Sequence, residues 1–150
     1  LIPVSSSREE AVDAALDLID KNSLAYEAVE VAKKFVNQSA SNLHDHYGDM
    51  SPVHSLNNLA VVIWAFLSFK DSFDEAIGET ICCGWDTDCT GATVGGLIGL
   101  DKGSIPELWT DPWQGRVNTA IAGVGELKLE DLVERTCKLV DQFSSESDMD

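Results

Sequence analysis

Gly84-Trp-Asp-Thr-Asp-Cys-Thr-Gly-Ala-Thr-Val-Gly-Gly-Leu-Ile-Gly99 governs how the rest of this 150-residue chain is read. Asp86 and Asp88 lie one residue apart. On a regular helix, residues i and i+2 point to different sides. At a helix start or in a turn, both carboxylates can converge on one cation. A helix N-terminus carries partial positive charge, which favours Asp there. Hard cations such as Mg²⁺ take carboxylate and hydroxyl oxygens. One Asp as a helix cap and one left in solvent is the simpler reading of an arbitrary Asp-x-Asp. Here the glycines weigh against it. Gly91, Gly95, Gly96 and Gly99 all fall inside the helix that should follow. Each costs about 0.8–1.0 kcal/mol against alanine in a helix interior. Gly91, Gly95 and Gly99 are spaced by four and share one face, which lets a second backbone or a ligand come close. Tight helix packing explains the glycines at least as well as a ligand does.

Two other motifs begin the same way. An EF-hand loop starting at Asp86 needs a bidentate Glu at its twelfth position, and that residue is Leu97. The Asp-x-Asp-x-Thr pattern of haloacid-dehalogenase-like phosphatases needs a buried strand before it. Here Ser72 to Glu75 has capping-box spacing and opens a helix through about Cys83. The phosphatase is kept as a minor alternative.

Working outward, the chain reads as mostly helix. Ser7 to Glu10 is another capping box, followed by an apolar stripe at Val12, Ala15, Leu16 and Ile19. Ala28, Val31, Ala32 and Phe35 repeat the spacing in a second helix that fades near Asn37. Residues 37–55 are read as a loop, with His44, His46 and His54 as solvated side chains. Leu59 to Leu67 is apolar all round. Its continuation to Phe69 and an Asn cap candidate at Asn57-Asn58 favour a helix at the centre of a bundle. Ser104-Ile-Pro-Glu-Leu-Trp109 predicts a short helix with proline in its first turn. Residues 110–128 are ambiguous. Trp109 and Trp113 bracket Asp111-Pro112, with packing favoured over base stacking. From Leu129, the positions Leu132, Val133, Thr136, Leu139, Val140 and Phe143 predict a last amphipathic helix, and residues 144–150 an acidic flexible tail.

Charge excludes whole classes of function. The chain holds 26 Asp and Glu against 10 Lys and Arg, a net charge of −16. A protein that tracks nucleic-acid phosphates needs a basic surface. Anionic membranes would repel this chain too, and its longest apolar run is far short of the ~20 residues a span needs. Cys82, Cys83, Cys89 and Cys137 form no CxxC pair, so they read as small buried hydrophobes in a reducing, cytoplasmic setting. The chain opens at Leu1 and its first methionine is Met50, which points to a cleaved or processed product.

The Gly84–Gly95 stretch resembles the second metal-binding motif of the ADP-ribosylglycohydrolase family. The family's usual form is Gly-Gly-Asp-Thr-Asp-Thr, a small-residue helix, then Ile-Pro-x-x-Trp. Ile105-Pro-Glu-Leu-Trp109 stands at the expected distance. Asn57-Asn58, the apolar helix and Ser72-Phe-Asp-Glu-Ala-Ile77 look like the family's approach to the motif. The resemblance runs in order from about residue 54 to residue 140.

What it implies is an all-α fold, an orthogonal multi-helix bundle, of which this chain carries the C-terminal half over residues 1–143. It implies hydrolysis of N- or O-glycosidic bonds to ADP-ribose at a site for two Mg²⁺ ions. Asp86 and Asp88 map onto metal ligands. Cys89 occupies the position of the usual Thr ligand, and a thiol is a soft substitute for a hydroxyl. Thr90 is the neighbouring hydroxyl that could take over. Trp85 replaces the second Gly, where it either walls the ligand cleft or packs. His54 and Asn58 are further candidate substrate contacts. The family's early acidic motifs do not occur here, so catalytic residues are expected in a missing N-terminal half. The chain alone is expected to be inactive, and to self-associate or pair with a complementary chain. Its small-molecule partner is expected to be ADP-ribose or an ADP-ribosylated substrate. A non-catalytic relative that binds or builds is the competing expectation.

Overall fold

The computed structural model describes residues 1–147. Among them are eight α-helices and two short strands. The fold is all-α, as expected. Contacts divide the chain into two compact units, Leu1–Ile105 and Pro106–Asp150.

The first unit holds α1 (Arg8–Leu16), α2 (Leu24–Lys34), α3 (Ser41–Tyr47), α4 (Ser55–Ser68), α5 (Phe73–Cys82) and α6 (Thr87–Lys102). Hydroxyl caps start three of these. The Ser7 hydroxyl accepts from Glu10 N–H, Ser23 from Tyr26 N–H, and Ser72 from Glu75 N–H, each at 3.1 Å. Such caps satisfy donors that a helix start leaves unpaired.

Helix α4 is the centre, as its all-round hydrophobicity predicts. It packs against α2, α5 and α6, and more lightly against α1 and α3. Val61, Trp64, Ala65 and Phe66 are all essentially buried. The Trp64 indole N–H donates to the carbonyls of Phe35 and Gln38, at 3.0 and 3.2 Å. A buried ring with its one donor satisfied is a strong anchor, and truncating it to alanine typically costs about 3–5 kcal/mol.

Arg8 ties the first helix to this centre. It is 5% exposed. Its Nη1 donates to the carbonyls of Phe66 (2.7 Å) and Phe69 (3.1 Å), and its Nε to Asp101 Oδ2 (2.9 Å). Nη2 lies 2.8 Å from the same Asp101 oxygen as an ion pair, without hydrogen-bond geometry. The guanidinium also lies 4.7 Å from the Phe66 ring centre. An apolar groove of about 490 Å³ opens beside it, lined by Val12, Leu16, Val29, Leu59, Ile63 and Phe66 among others.

Two expectations are corrected. Residues 37–55 are not one loop, because α3 forms within them. Its apolar anchors are Leu43 and Tyr47, both buried and one helical turn apart. Seven residues with no capping side chain are too short to show a periodicity. The cap of α4 is His54, whose Nδ1 accepts from Leu56 N–H at 3.2 Å, while Asn57 lies inside the helix.

The second unit contains α7 (Glu107–Thr110), a hairpin and α8 (Leu129–Ser147). The ambiguous segment resolves into β1 (Arg116–Asn118) and β2 (Glu126–Lys128), antiparallel, with Val117 opposite Leu127. An Arg116–Glu126 ion pair joins the strands. Val133, Leu139, Val140 and Phe143 of α8 are each more than half exposed. Helix α8 runs through Ser147, so the expected tail is helical at its start, and its residues 148–150 lie outside those described. No helix among the described residues is long and apolar enough to cross a membrane.

Candidate metal centre

The centre is built at the turn between α5 and α6. Cys83 ends α5 and is 2% exposed. Gly84 follows at φ +80°, a left-handed conformation in which a side chain would be strained. That reversal brings the chain back along α5. Asp86 then caps α6, with Thr90 N–H donating to its carbonyl at 2.9 Å. The Asp86 carboxylate makes no cap hydrogen bond.

Ligand atoms of Asp86, Asp88 and Cys89 all lie within 4.8 Å of one another. Asp86 is half-buried, while Asp88 and Cys89 are exposed. The two carboxylates supply the oxygen donors that a hard divalent cation takes. The Cys89 sulfur is the odd member, a soft donor beside hard ones. The neighbouring Asp86 carboxylate, through hydrogen bonding and then its charge, pushes the Cys89 thiol pKa up. A raised pKa keeps the proton on sulfur. Of the four cysteines expected to be small buried hydrophobes, only Cys83 is buried, while Cys82, Cys89 and Cys137 are exposed. Burial pushes the Cys83 thiol up to about 12.

Thr90 is buried, and its hydroxyl donates to the Asp86 carbonyl at 2.9 Å. That hydroxyl braces the first turn of α6. Asn58 reaches the centre from α4. Its Oδ1 accepts from Asp86 N–H at 3.2 Å, and its Nδ2 donates to the carbonyls of Pro52 (2.8 Å) and His54 (2.9 Å). Asn58 therefore joins the turn before α4 to the head of α6. His54 is exposed at the same turn. A groove of about 230 Å³ runs alongside, lined by Ser55, Asn58, Leu59, Val62, Cys89 and Thr93 with Thr90.

Trp85 is half-buried. Its ring centre lies 4.2 Å from the His44 imidazole, tilted by 34°, and 6.4 Å edge-on from Tyr47. His44 is thus no solvated loop residue. It sits on α3 with Nε2 2.6 Å from the Cys83 carbonyl. No local sequence signal marks this contact, since it depends on α3 forming and on where α3 packs. His46 remains exposed, edge-on to Tyr47. In the second unit, Trp109 and Trp113 are 37% and 57% exposed.

The glycine face of α6 receives α5. A methyl on Gly91 would come within 2.9 Å of Ile81 Cδ1, and one on Gly95 within 3.5 Å of Ile77 Cδ1. Gly99 meets Ile105 instead, at 2.8 Å. Close helix packing therefore accounts for Gly91, the loop residue Ile105 crowds Gly99, and at Gly95 a methyl would make only ordinary contact. Gly96 faces open space.

Helix α5 precedes the motif where the phosphatase pattern requires a strand, so that alternative falls. No curated protein and no solved structure matches the chain. Residues 2–147 do match the family model described as ADP-ribosylglycohydrolase. The match spans both units and includes the Asp86–Asp88 turn. A possible acidic metal group at that turn agrees with a family that is generally metal-dependent. The chain belongs to the ADP-ribosylglycohydrolase family, a family of hydrolases.

Proposed function

We propose that this chain serves the Mg²⁺-dependent hydrolysis of N- or O-glycosidic bonds to ADP-ribose, and that it supplies part of the metal site. The observation that carries this is the clustering of Asp86, Asp88 and Cys89 ligand atoms within 4.8 Å at the head of α6. Asp86 and Asp88 would hold the cation. When bound, Mg²⁺ supplies the charge that orients ribose hydroxyls and polarises water. The chain's own residues shape what surrounds it. Asn58 fixes the Asp86 backbone, and Thr90 braces the turn behind it. The groove beside Cys89 and Thr93 gives a sugar room to enter. Trp85 offers a wall for a stacked group, Asn58 lines the groove from α4, and His54 caps that helix next to the lining residue Ser55. No residue of this chain is assigned to proton transfer, which would need a further carboxylate near the reacting carbon.

The free thiols of Cys82, Cys83, Cys89 and Cys137 support a reducing, cytoplasmic setting. The apolar groove beside α1 supports burial of that surface against a second copy or a complementary chain. Light scattering that finds a monomer at high concentration would remove that part of the proposal.

Calorimetric titration of Mg²⁺, then ADP-ribose, into the intact protein (this chain with every partner chain supplied) and its Asp88→Ala variant tests the main reading. Wild type should bind the cation, and ADP-ribose affinity should depend on it. Asp88→Ala should abolish the Mg²⁺ heat. Equal affinities would sink the site. A non-catalytic binding role is the second reading, and Cys89 in place of a hydroxyl ligand favours it. ADP-ribose binding without turnover, in a preparation supplied with every partner chain, would decide for it.

A further inference from the structure

We infer that His44 is a positioning residue for the metal centre, holding the Cys83–Asp86 turn so that the Asp86 carboxylate stays beside Asp88. The inference rests on the proposed metal site. Its first support is the hydrogen bond of 2.6 Å between His44 Nε2 and the Cys83 carbonyl. A carbonyl only accepts, so Nε2 carries the proton and donates. Cys83 caps α5, and the last carbonyls of a helix have no partner within it. The imidazole supplies that partner from another helix, 39 residues away in sequence.

The second support is the ring contact. The same imidazole packs on Trp85 at 4.2 Å, and Tyr47, one turn further along α3, meets the indole at its edge. His44 therefore grips the turn on both sides of Gly84. Gly84 needs that grip more than most residues would. With φ at +80° and no Cβ it is the freest point of the turn. Downstream, Asn58 holds the Asp86 N–H from α4. The turn is clamped from α3 at Cys83 and Trp85, and from α4 at Asp86.

The anchor itself is packed into the core. Leu43, adjacent to His44, is fully buried, and Tyr47 is 6% exposed. Helix α3 has no capping side chain and spans only seven residues, so its place depends on those two contacts with the core. Without the imidazole, the Gly84 hinge loses its brace and the two carboxylates sample separations that no longer fit one ion.

The test is Mg²⁺ titration by calorimetry of the chain supplied with every partner chain, at a temperature where circular dichroism finds each variant folded. His44→Ala should weaken Mg²⁺ binding roughly tenfold. His44→Gln keeps an N–H donor of similar reach and should recover part of that loss. A residue that merely stabilised the fold would lower the melting temperature in both variants and leave the affinity of the folded molecules unchanged. That result would overturn the inference.

If His44→Ala does not fold, NMR of the wild type decides. Mg²⁺ that shifts the Asp86 and Asp88 amides should also shift the His44 imidazole signals. Unmoved imidazole signals would overturn the inference and leave the metal site standing. Wild type that takes up no Mg²⁺ would overturn the metal site itself, and the role of His44 with it.

Discussion

Asn58 Oδ1 accepts the backbone N–H of Asp86 across 28 residues of sequence, at 3.2 Å. The bond ties the head of α4 to the head of α6, and it acts on the backbone of a candidate ligand rather than on its carboxylate. The other end of the same amide donates to two carbonyls of the turn before α4. Asn58→Ala removes these three bonds and a longer one, from Nδ2 to Asn57 Oδ1 at 3.4 Å. At about 1 kcal/mol each, less what water restores at this half-buried site, the loss should be roughly 1–3 kcal/mol. A domain of this size should then melt about 2–4 °C lower per kcal/mol. Asn58→Asp keeps the acceptor for Asp86 but turns a carboxylate toward the Pro52 and His54 carbonyls. It should be no more stable than Asn58→Ala in the same melt.

Cys89 reports on Asp86. The thiol pKa is raised by the hydrogen bond to Asp86, then by the charge of that carboxylate. Alkylation needs the thiolate. A raised pKa means less thiolate at a given pH, so Cys89 should react slowly for an exposed cysteine. Asp86→Asn removes the charged acceptor, lowers the pKa and should speed the reaction several-fold at pH 8. Iodoacetamide labelling followed by peptide mass spectrometry measures this. Buried Cys83, pushed up to about 12, should remain unlabelled throughout. An Asp86→Asn variant labelled no faster than wild type would remove the Asp86–Cys89 contact.

The ion pair of Arg8 and Asp101 links α1 to the end of α6. Asp101→Ala leaves a guanidinium that is 5% exposed without its counter-charge. Breaking a buried pair on one side costs roughly 3–5 kcal/mol. The Asp101 side chain is 24% exposed and Arg8 keeps the Phe66 and Phe69 carbonyls, so the cost should fall at the low end. Arg8→Met removes the charge while filling its volume and should cost less than Asp101→Ala. Urea denaturation orders the two, and the reverse order would mean that the carbonyl bonds matter more than the ion pair.

The sequence made the helices with strong local signals legible. Ser7 and Ser72 cap where their capping boxes stand, and the apolar run at Leu59 to Leu67 lies within the central helix. The convergence of Asp86 and Asp88 was readable too, because a helix start is where two such carboxylates can meet. What stayed hidden depends on tertiary placement. Helix α3 has two core anchors and no cap, so nothing local announces it. With α3 unseen, His44 looked like a solvated side chain, and its bond to Cys83 had no sequence signature. The role of Asn58 is hidden for the same reason, since its amide reaches the Asp86 backbone from another helix, whereas Thr90 bonds the Asp86 carbonyl locally, one helical turn back. The hairpin at Arg116–Asn118 and Glu126–Lys128 has three residues a strand, below the length at which alternation shows.

Gly96 and Gly99 lie on the same helix and should respond oppositely to alanine. At Gly96 a methyl meets nothing within 4 Å, and the backbone is ordinary helix. Gly96→Ala should therefore gain the helix-propensity difference, about 0.8–1.0 kcal/mol, and raise the melting temperature. At Gly99 the methyl would lie 2.8 Å from Ile105 Cδ1 and 3.4 Å from Cγ1. Overpacking of that kind costs about 1–3 kcal/mol, which cancels or outweighs the propensity gain. Cδ1 is the flexible end of its side chain, so the clash is local and can be removed. Ile105→Val deletes that atom at a cost of about 0.5–1.5 kcal/mol on its own. In the double variant Gly99→Ala should regain its favourable sign, giving a coupling of about 1 kcal/mol or more between the two sites. Thermal melts of the three variants and the wild type close the cycle. Additive values would mean that Ile105 yields freely, and that the glycine at position 99 is kept for a reason other than contact with it.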